Sequence, residues 1–308
     1  MSDHILVLGA GGFLGRSLVR ALTARGEKVI TFTRRPIDFG IPGVESIVSE
    51  LTEPEQFAPL LSRSRAIVHL ASRSTPGSSA GNVMIEMQWN LQPIFSLLQA
   101  LQDKPQTHLL YLSSGGCLYA PGADELAMET SEIRPRSYHG AGKIAAESFI
   151  NAWTSQYGGA ATVLRPSNVY GPGQIERPGF GIVPTVFSKI ISGEPITVWG
   201  DGSAVRDYLY IDDLVALCVA TLTKPMATGT LTLNASSGMG VSLNELFNAI
   251  ETATGQSLKR TYDASRAVDA TRIVMDASLA YRRYGWQPMT PLNEGLRQTW
   301  EWFNTTRQ

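Results

Sequence analysis

Gly9, Gly12 and Gly15 recur at three-residue spacing in Leu8-Gly9-Ala10-Gly11-Gly12-Phe13-Leu14-Gly15, between a short apolar run and a helical pattern. Each has a physical use in that setting. Gly9 permits a tight turn, Gly12 lets the backbone approach a pyrophosphate, and Gly15 lets a helix pack closely on a strand. The helix start adds free N–H groups and a partial positive charge for phosphates. The chemistry implied is dinucleotide binding. The end of the next strand bears on which dinucleotide. An acidic residue there would bind a ribose 2′-hydroxyl, but the sequence has Thr33 followed by Arg34 and Arg35. Two guanidiniums suit a 2′-phosphate, so NADP is expected over NAD.

Other chemistries lack their residues. The sequence has no G-x-S-x-G elbow, no H-E-x-x-H and no phosphate-binding G-x-x-x-x-G-K. Its two cysteines, Cys117 and Cys218, are too few and too far apart for a disulfide framework or a zinc site, so no metal is expected. Lys and Arg number 26 against 27 Asp and Glu, which removes the electrostatic case for nucleic acid or an anionic membrane surface. No stretch approaches the ~20 apolar residues of a membrane helix. Met1-Ser2-Asp3-His4 leads into the first apolar run without a basic signal region. A cytoplasmic location is expected.

The elements that would position these residues alternate. Apolar runs at Ile5–Leu8, Lys28–Phe32, Ala66–Leu70, Leu109–Leu112 and Ala161–Leu164 read as strands. Between them lie helical patterns, with Leu14, Leu18 and Leu22 on one face and Leu91, Phe95 and Leu98 on another, and a further helix from about 141 to 153. Such alternation predicts an α/β fold, a Rossmann-like doubly wound parallel sheet. Past Pro166, prolines and glycines become frequent and the elements short, which predicts a smaller mixed α/β lobe for substrate. The expected division is 1–165, with about 204–238 returning to it, for the dinucleotide, and 166–203 plus 239–308 for the second ligand. Ser242-Leu243-Asn244-Glu245 has capping-box spacing, and Thr290-Pro291 predicts a capping threonine with proline at the first helical position.

With those elements in place, the chain resembles the extended short-chain dehydrogenase/reductases, in particular nucleotide-sugar 4-epimerases and 4,6-dehydratases. The resemblance runs almost end to end. Gly9–Gly15 has the form G-x-x-G-F-x-G, and Leu112 to Tyr119 (LSSGGCLY) is similar to the strand end S-S-x-x-V-Y-G. Arg165 to Pro172 (RPSNVYGP) resembles R-x-x-N-V-Y-G-P, and Gly200 to Tyr208 (GDGSAVRDY) resembles G-D-G-x-x-x-R-D-Y. Arg266 to Asp269 resembles a late R-x-x-D, and Tyr284 to Pro288 the terminal L-G-W-x-P.

The resemblance implies roles residue by residue. Phe13, Leu14, Glu50, Leu51, Leu70 and Ala71 would line the dinucleotide with the glycines and arginines, joined near the nicotinamide by Ser113, Lys143 and Pro166. Asn168 would bond a phosphate or sugar oxygen, Arg206 and Arg266 would neutralise a diphosphate, and Asp269 would take a ribose hydroxyl, with Ser114 and Val183 also at the sugar. Two arginines from separate segments suit a dianionic diphosphate. The alternative for Arg206 is a local ion pair with Asp207. The resemblance also implies a homodimer through helices near 82–101 and 141–153, although their apolar stripes could equally face the protein's own sheet.

At the reacting centre the sequence departs from the pattern. The family's P-x-S-x-Y-G-x-S-K aligns without a gap on Pro135 to Lys143 (PRSYHGAGK), and places His139 where tyrosine stands, four residues before Lys143. Tyr138 is one residue early, about 100° around a helix from Lys143's face, unless the helix start shifts register. The relay hydroxyl falls on Gly115, leaving Ser114 and Cys117 nearest, and Cys117 occupies the place of a dehydratase's acid. Three readings stay open. His139 replaces tyrosine as acid–base, helped by a neighbouring ammonium that keeps it neutral; the chain binds without turnover; or chemistry centres on the Cys117 thiol. The expected function is an NAD(P)-dependent nucleotide-sugar epimerase that oxidises C4 of the sugar transiently. The alternatives are a reductase or dehydratase, or a non-catalytic binder.

Overall fold

A strand whose every side chain is apolar can be buried only where both faces of its sheet are covered. That constraint organises the chain. The computed structural model describes residues 3–50, 52–75, 77–121, 126–176, 181–265 and 270–306. Six strands come first: β1 (His4–Leu8), β2 (Lys28–Thr33), β3 (Glu45–Val48), β4 (Ser64–His69), β5 (His108–Leu112) and β6 (Ala160–Pro166). Then follow β7 (Asn168–Tyr170), β8 (Ile196–Trp199), β9 (Val205–Tyr210), β10 (Gly229–Ala235), β11 (Gly240–Ser242), β12 (Arg260–Asp263) and β13 (Arg272–Ile273). The helices are α1 (Phe13–Ala24), α2 (Ala58–Leu61), α3 (Met84–Glu86), α4 (Gln92–Leu101), α5 (Tyr138–Tyr157) and α6 (Ile182–Ser192). They continue with α7 (Ile211–Thr223), α8 (Leu243–Thr254), α9 (Ser278–Tyr284) and α10 (Leu292–Thr305).

The main sheet has seven strands in the order β10-β6-β5-β4-β1-β2-β3, all parallel. Alternate residues of each strand feed opposite cores. Ile5 and Val7 face Leu18, Val19 and Leu22 of α1 and Leu214 and Leu217 of α7. Leu6 and Leu8 belong to the other core, with Ile94 and Leu97 of α4 and Ile150 and Trp153 of α5. The fold is therefore doubly wound, and the chain reverses its direction of growth between β1 and β4. A crevice opens at that switch point, outside the carboxyl ends of the strands.

The smaller sheet carries β11, β9 and β13 with β7 alongside, and β12 pairs with β8. In the 204–238 stretch, β10 lies beside β6 in the main sheet, whereas β9 belongs to the smaller one. Three local features depart from the expectations. β3 escapes the sequence pattern because its side chains alternate between exposed and half-buried at a sheet edge. Helix α5 starts at Tyr138, earlier than expected, because Ser137 caps it: its Oγ accepts the Gly140 N–H at 3.1 Å. Pro291 is the cap residue of α10 rather than its first helical residue, and the chain before it is held by the Thr290 N–H donating to Asp213 Oδ2 at 3.1 Å. The capping box at Ser242–Glu245 forms as expected.

Between α3 and α4 the helix runs through a π turn, Met87–Leu91. Pro93 has no N–H to give the carbonyl four residues back, and the ladder widens just before it. Deeper in, Arg165 of β6 meets Glu147 of α5, with Nη2 to Oε2 at 2.6 Å and both groups buried. Arg165 Nη1 also donates to Tyr119 Oη at 3.0 Å, and Tyr119 donates to Asn234 Oδ1 of β10 at 2.6 Å. Breaking such a pair leaves an uncompensated buried charge, which costs about 3–5 kcal/mol. Arg165→Met should lower the unfolding free energy in urea by about that amount, and adding Glu147→Leu should recover part of it. A single mutant as stable as the native chain would show that the pair does not hold α5.

Candidate functional site

The glycine turn builds a cradle for a phosphate-bearing ligand. Gly9 has φ +85°, and a Cβ on it would lie 2.7 Å from the backbone nitrogen of Ala71. A Cβ on Gly15 would run into the Gly9 carbonyl and Ala10, so strand and helix touch only because neither residue has a side chain. Gly12 is the cap residue of α1 and leaves the first-turn N–H groups without a side-chain partner, and no acidic residue lies in that turn. A cavity of about 2110 Å³ opens there, lined by Gly9, Gly12 to Gly15, Arg34, Arg35, Glu50, Leu70 and Ala71. These residues fit a dinucleotide: a glycine-walled turn, an open helix N-terminus and a long crevice.

Thr33 Oγ1 donates to the Arg35 carbonyl at 2.8 Å and folds the chain back after β2. Burial and the nearby charge of Arg73 hold the Arg34 guanidinium below its ordinary pKa, with Glu50 opposing them. Arg73 stacks on Trp89, its guanidinium carbon 4.5 Å from the ring centroid. Both line the same cavity. Neither is visible in the sequence, because Arg73 sits in a Ser-rich loop and Trp89 on the π turn, where no motif marks them.

Helix α5 presents His139, Lys143 and Glu147 at four-residue spacing, and all three are buried. Lys143 Nζ donates to the Leu112 carbonyl at 2.7 Å and lies 4.9 Å from the centre of the Tyr111 ring. Burial draws its pKa down to about 8 against the pull of Cys117, Glu86 and Glu147. His139 is 9% exposed, and its Nδ1 lies 2.9 Å from Ser74 Oγ. Asn90 Nδ2 donates both to Ser74 Oγ and to Glu86 Oε2, each at 2.7 Å. Burial, then the Lys143 charge, draws His139 down to about 4, with Glu86 opposing. Tyr138 is 47% exposed. Bringing it onto Lys143's face would mean giving up the Ser137 cap.

The strand end after β5 turns its hydroxyls inward. Ser113 Oγ donates to Glu147 Oε1, and Cys117 Sγ donates to Ser114 Oγ at 3.1 Å. Burial pushes the Cys117 thiol above its ordinary pKa, which disfavours a thiolate. At Gly115 the Met275 thioether occupies the space a side chain would need. The Pro166 carbonyl accepts the Gly115 N–H at 2.7 Å, and the Leu70 N–H joins Leu8 at 2.9 Å, so both ends of the crevice are tied to the sheet.

On the far side, Asn168 Nδ2 donates to the Asp207 carbonyl at 2.9 Å, and Arg206 Nη1 donates to the Val205 carbonyl at 2.8 Å. The Asp207 carboxylate turns to the N–H groups of Ser237 and Gly238. Val183, the second residue of α6, is 1% exposed in the core, so the structure does not bring it to the ligand surface expected from the sequence. Leu51, Arg266 and Asp269 lie outside the described residues. No helix among the described residues is long and apolar enough to cross a membrane, and no cluster of metal-ligating side chains forms among them.

Comparison with known proteins agrees with this geometry. Residues 5–234 match the NAD-dependent epimerase/dehydratase family. The UDP-glucose 4-epimerase of Mycolicibacterium smegmatis is 29% identical over 98% of this chain and 99% of its own length. The UDP-glucose 4-epimerase of Thermotoga maritima, solved with UDP-glucose, superposes with a TM-score of 0.92 at 27% identity, covering 99% of this chain and all of that one. That of Thermus thermophilus, solved with NAD, gives 0.88 at 27% identity over 98% and 99%.

Three buried histidines set an acid limit on the fold. Burial draws His69 down to about 3 and His108 and His139 to about 4. The unfolded chain takes up protons near pH 6.5 that the folded chain refuses. Their contribution is therefore complete above that pH and lost progressively as pH falls from 6.5 towards 4. Each adds a slope of up to about 1.4 kcal/mol per pH unit. Urea unfolding at pH 7.5, 6 and 5 should show the decline, and a flat profile across that range would contradict it.

Proposed function

The chain belongs to the NAD-dependent epimerase/dehydratase family, and from that membership we propose that it is a nucleotide-sugar 4-epimerase in which His139 is the acid–base group. The observation that carries this reading is a buried, neutral imidazole one helical turn before Lys143. When bound, the dinucleotide supplies hydride acceptance and return at C4 of the sugar. The chain's residues do the rest. His139 takes the proton of the sugar hydroxyl and gives it back. The Lys143 ammonium holds the nicotinamide ribose from the Leu112 carbonyl. Asn168 and Arg206, with Arg266 and Asp269 carried over from the family pattern, hold the nucleoside diphosphate. UDP sugars are the first substrates to test, because the similar epimerases act on or bind them.

The same reading prefers NADP to NAD. The similar Thermus enzyme holds NAD, but here Arg34 and Arg35 follow Thr33 where an acidic residue would select NAD, and Arg73 adds a third guanidinium near Arg34. A homodimer through the outer surfaces of α5 and of the helical stretch that runs from α3 through the π turn to α4 belongs to this reading too, supported by the exposed Phe149 of α5, Met84 of α3 and Met87 of the π turn. Both cysteines are free, which suits a reducing cytoplasm.

Calorimetry should find NADP(H) bound more tightly than NAD(H), with the preference removed in the Arg34→Ala, Arg35→Ala double mutant. The charge-assisted contacts are worth about 1.5–3 kcal/mol each, so NADPH affinity should drop at least tenfold while NADH affinity holds. Equal native affinities would remove the preference.

Turnover is tested at His139. His139→Ala should abolish epimerisation of a UDP sugar and leave dinucleotide affinity nearly unchanged, whereas His139→Tyr, which restores the family's pair, should keep activity. The native rate should fall only as pH drops towards 4, where the imidazole becomes protonated. Full activity in His139→Ala would overturn the assignment. Stoichiometric consumption of NADPH with a keto sugar would make the chain a reductase, and binding of a nucleotide sugar without turnover would make it a binder.

A further inference from the structure

Glu86 lies at the junction of α3 and the π turn, 4% exposed, with its carboxylate beside the His139 ring. Oε2 accepts from Asn90 Nδ2 at 2.7 Å. Oε1 is buried with no hydrogen-bond partner and lies 3.9 Å from His139 Nδ1, too long for a hydrogen bond but within ion-pair range. The room for it comes from Gly142: a Cβ there would be 3.0 Å from Glu86 Oε2. The family pattern has serine at that position. Two departures, histidine at 139 and glycine at 142, thus meet at one carboxylate.

The neutral imidazole has two tautomers, and only one can serve. To take a proton from a sugar hydroxyl, Nε2 must carry a free lone pair, so the ring hydrogen must sit on Nδ1. Nδ1 faces Ser74 Oγ, which already accepts from Asn90 and has a second lone pair. Ser74 Oγ serves either tautomer, donating to a bare Nδ1 or accepting from an Nδ1–H at 2.9 Å, and the Glu86 carboxylate 3.9 Å from the same nitrogen favours the second. The titratable groups acting on the ring are Lys143 from its own helix and Glu86 from α3. Cys117, Glu86 and Glu147 act in turn on Lys143. Lys143 disfavours the imidazolium, and Glu86 is the group that favours it.

We propose that Glu86 is the positioning residue for His139: its carboxylate, 3.9 Å from Nδ1, favours the ring hydrogen on that nitrogen, frees Nε2 to accept the hydroxyl proton, and stabilises the imidazolium so formed. The step balances. The hydroxyl proton goes to Nε2, the C4–H bond breaks with its electron pair leaving as hydride to the oxidised dinucleotide, and C4–O becomes a carbonyl; reversal on the other face returns both. The inference rests on His139 being the acid–base group.

The test is Glu86→Gln, which keeps shape and removes charge. The chain has four histidines, so the His139 ring nitrogens can be assigned in a ¹H–¹⁵N side-chain spectrum by comparison with His139→Gln. At pH 7.5 the native ring should be Nδ1–H, and Glu86→Gln should shift it towards Nε2–H. With a UDP sugar and bound dinucleotide, kcat should fall tenfold or more with KM little changed, and the acid limb of the rate should move to lower pH. Should Glu86→Gln fail to fold by circular dichroism, Glu86→Asp should give the same tautomer shift in smaller degree. An unchanged tautomer in the folded variant overturns the proposal, whatever the activity. Absence of turnover in the native chain would count against the epimerase reading alone, because the spectrum reads Glu86's hold on the ring without it.

Discussion

Arg165 and Glu147 hold each other in a place where neither could remain alone. Burial works against the guanidinium's charge, and the hydrogen bonds and charge of Glu147 outweigh it, raising its pKa above the ordinary value. The pair is a joint between α5 and β6, and it recruits Ser113 from the end of β5, Tyr119 from the loop beyond, and through Tyr119 the Asn234 of β10. Separate parts of the architecture are thus tied at one point. Helix α5 cannot slide or rotate without leaving a buried charge unmatched. Lys143 lies one turn before that joint and His139 one turn before Lys143, so the residues proposed to react inherit their position from an interaction deeper than themselves.

What is legible in the sequence and what is hidden follow from the range of the interactions involved. The glycine turn is legible because its constraints are local: Gly9 must take a positive φ and Gly15 must clear its own strand, both within seven residues. The alternation of strands and helices is legible for the same reason. At Thr290 the helix starts one residue later than expected, and the segment before it is anchored by a distant carboxylate, Asp213, which takes the N–H groups of Met289 and Thr290 and which no local pattern reveals. Ser74, Glu86 and Asn90 are invisible as a set. They lie in a loop and across a π turn, and only the fold brings them onto His139. Arg73 reaches the cavity beside Arg34 in the same way.

Electrostatically the site is a neutral base between an anion and a cation. A phenol begins near pH 10 and needs a cation to bring its proton within reach of neutral chemistry. An imidazole begins near 6.5, and burial with the Lys143 charge takes it to about 4 even with Glu86 opposing them. The lysine that assists a tyrosine therefore works against a histidine. A site that keeps the lysine for the ribose and places histidine before it is left with a base weaker than the task suits. A carboxylate beside the ring is the compensation that electrostatics calls for, and it is where Glu86 lies.

The hydrogen-bond partners around position 139 also differ from the family pattern. In the family pattern a hydroxyl from the β5 strand end completes the relay. Here that position is Gly115, with Met275 in its space, while Ser113 is turned to Glu147 and Ser114 is bonded to Cys117. The support comes instead from the loop after β4 and from the π turn. A phenol offers one oxygen and can be approached from one side only, where the substrate also comes. An imidazole offers a second nitrogen on its opposite edge, and a protein that replaces tyrosine by histidine gains a handle behind the reacting atom. The glycine at 142, the carboxylate at 86 and the Pro93-induced π turn that carries Asn90 all serve that handle. For this reason the histidine at 139 is better understood as one member of a rebuilt site than as a lone loss of tyrosine.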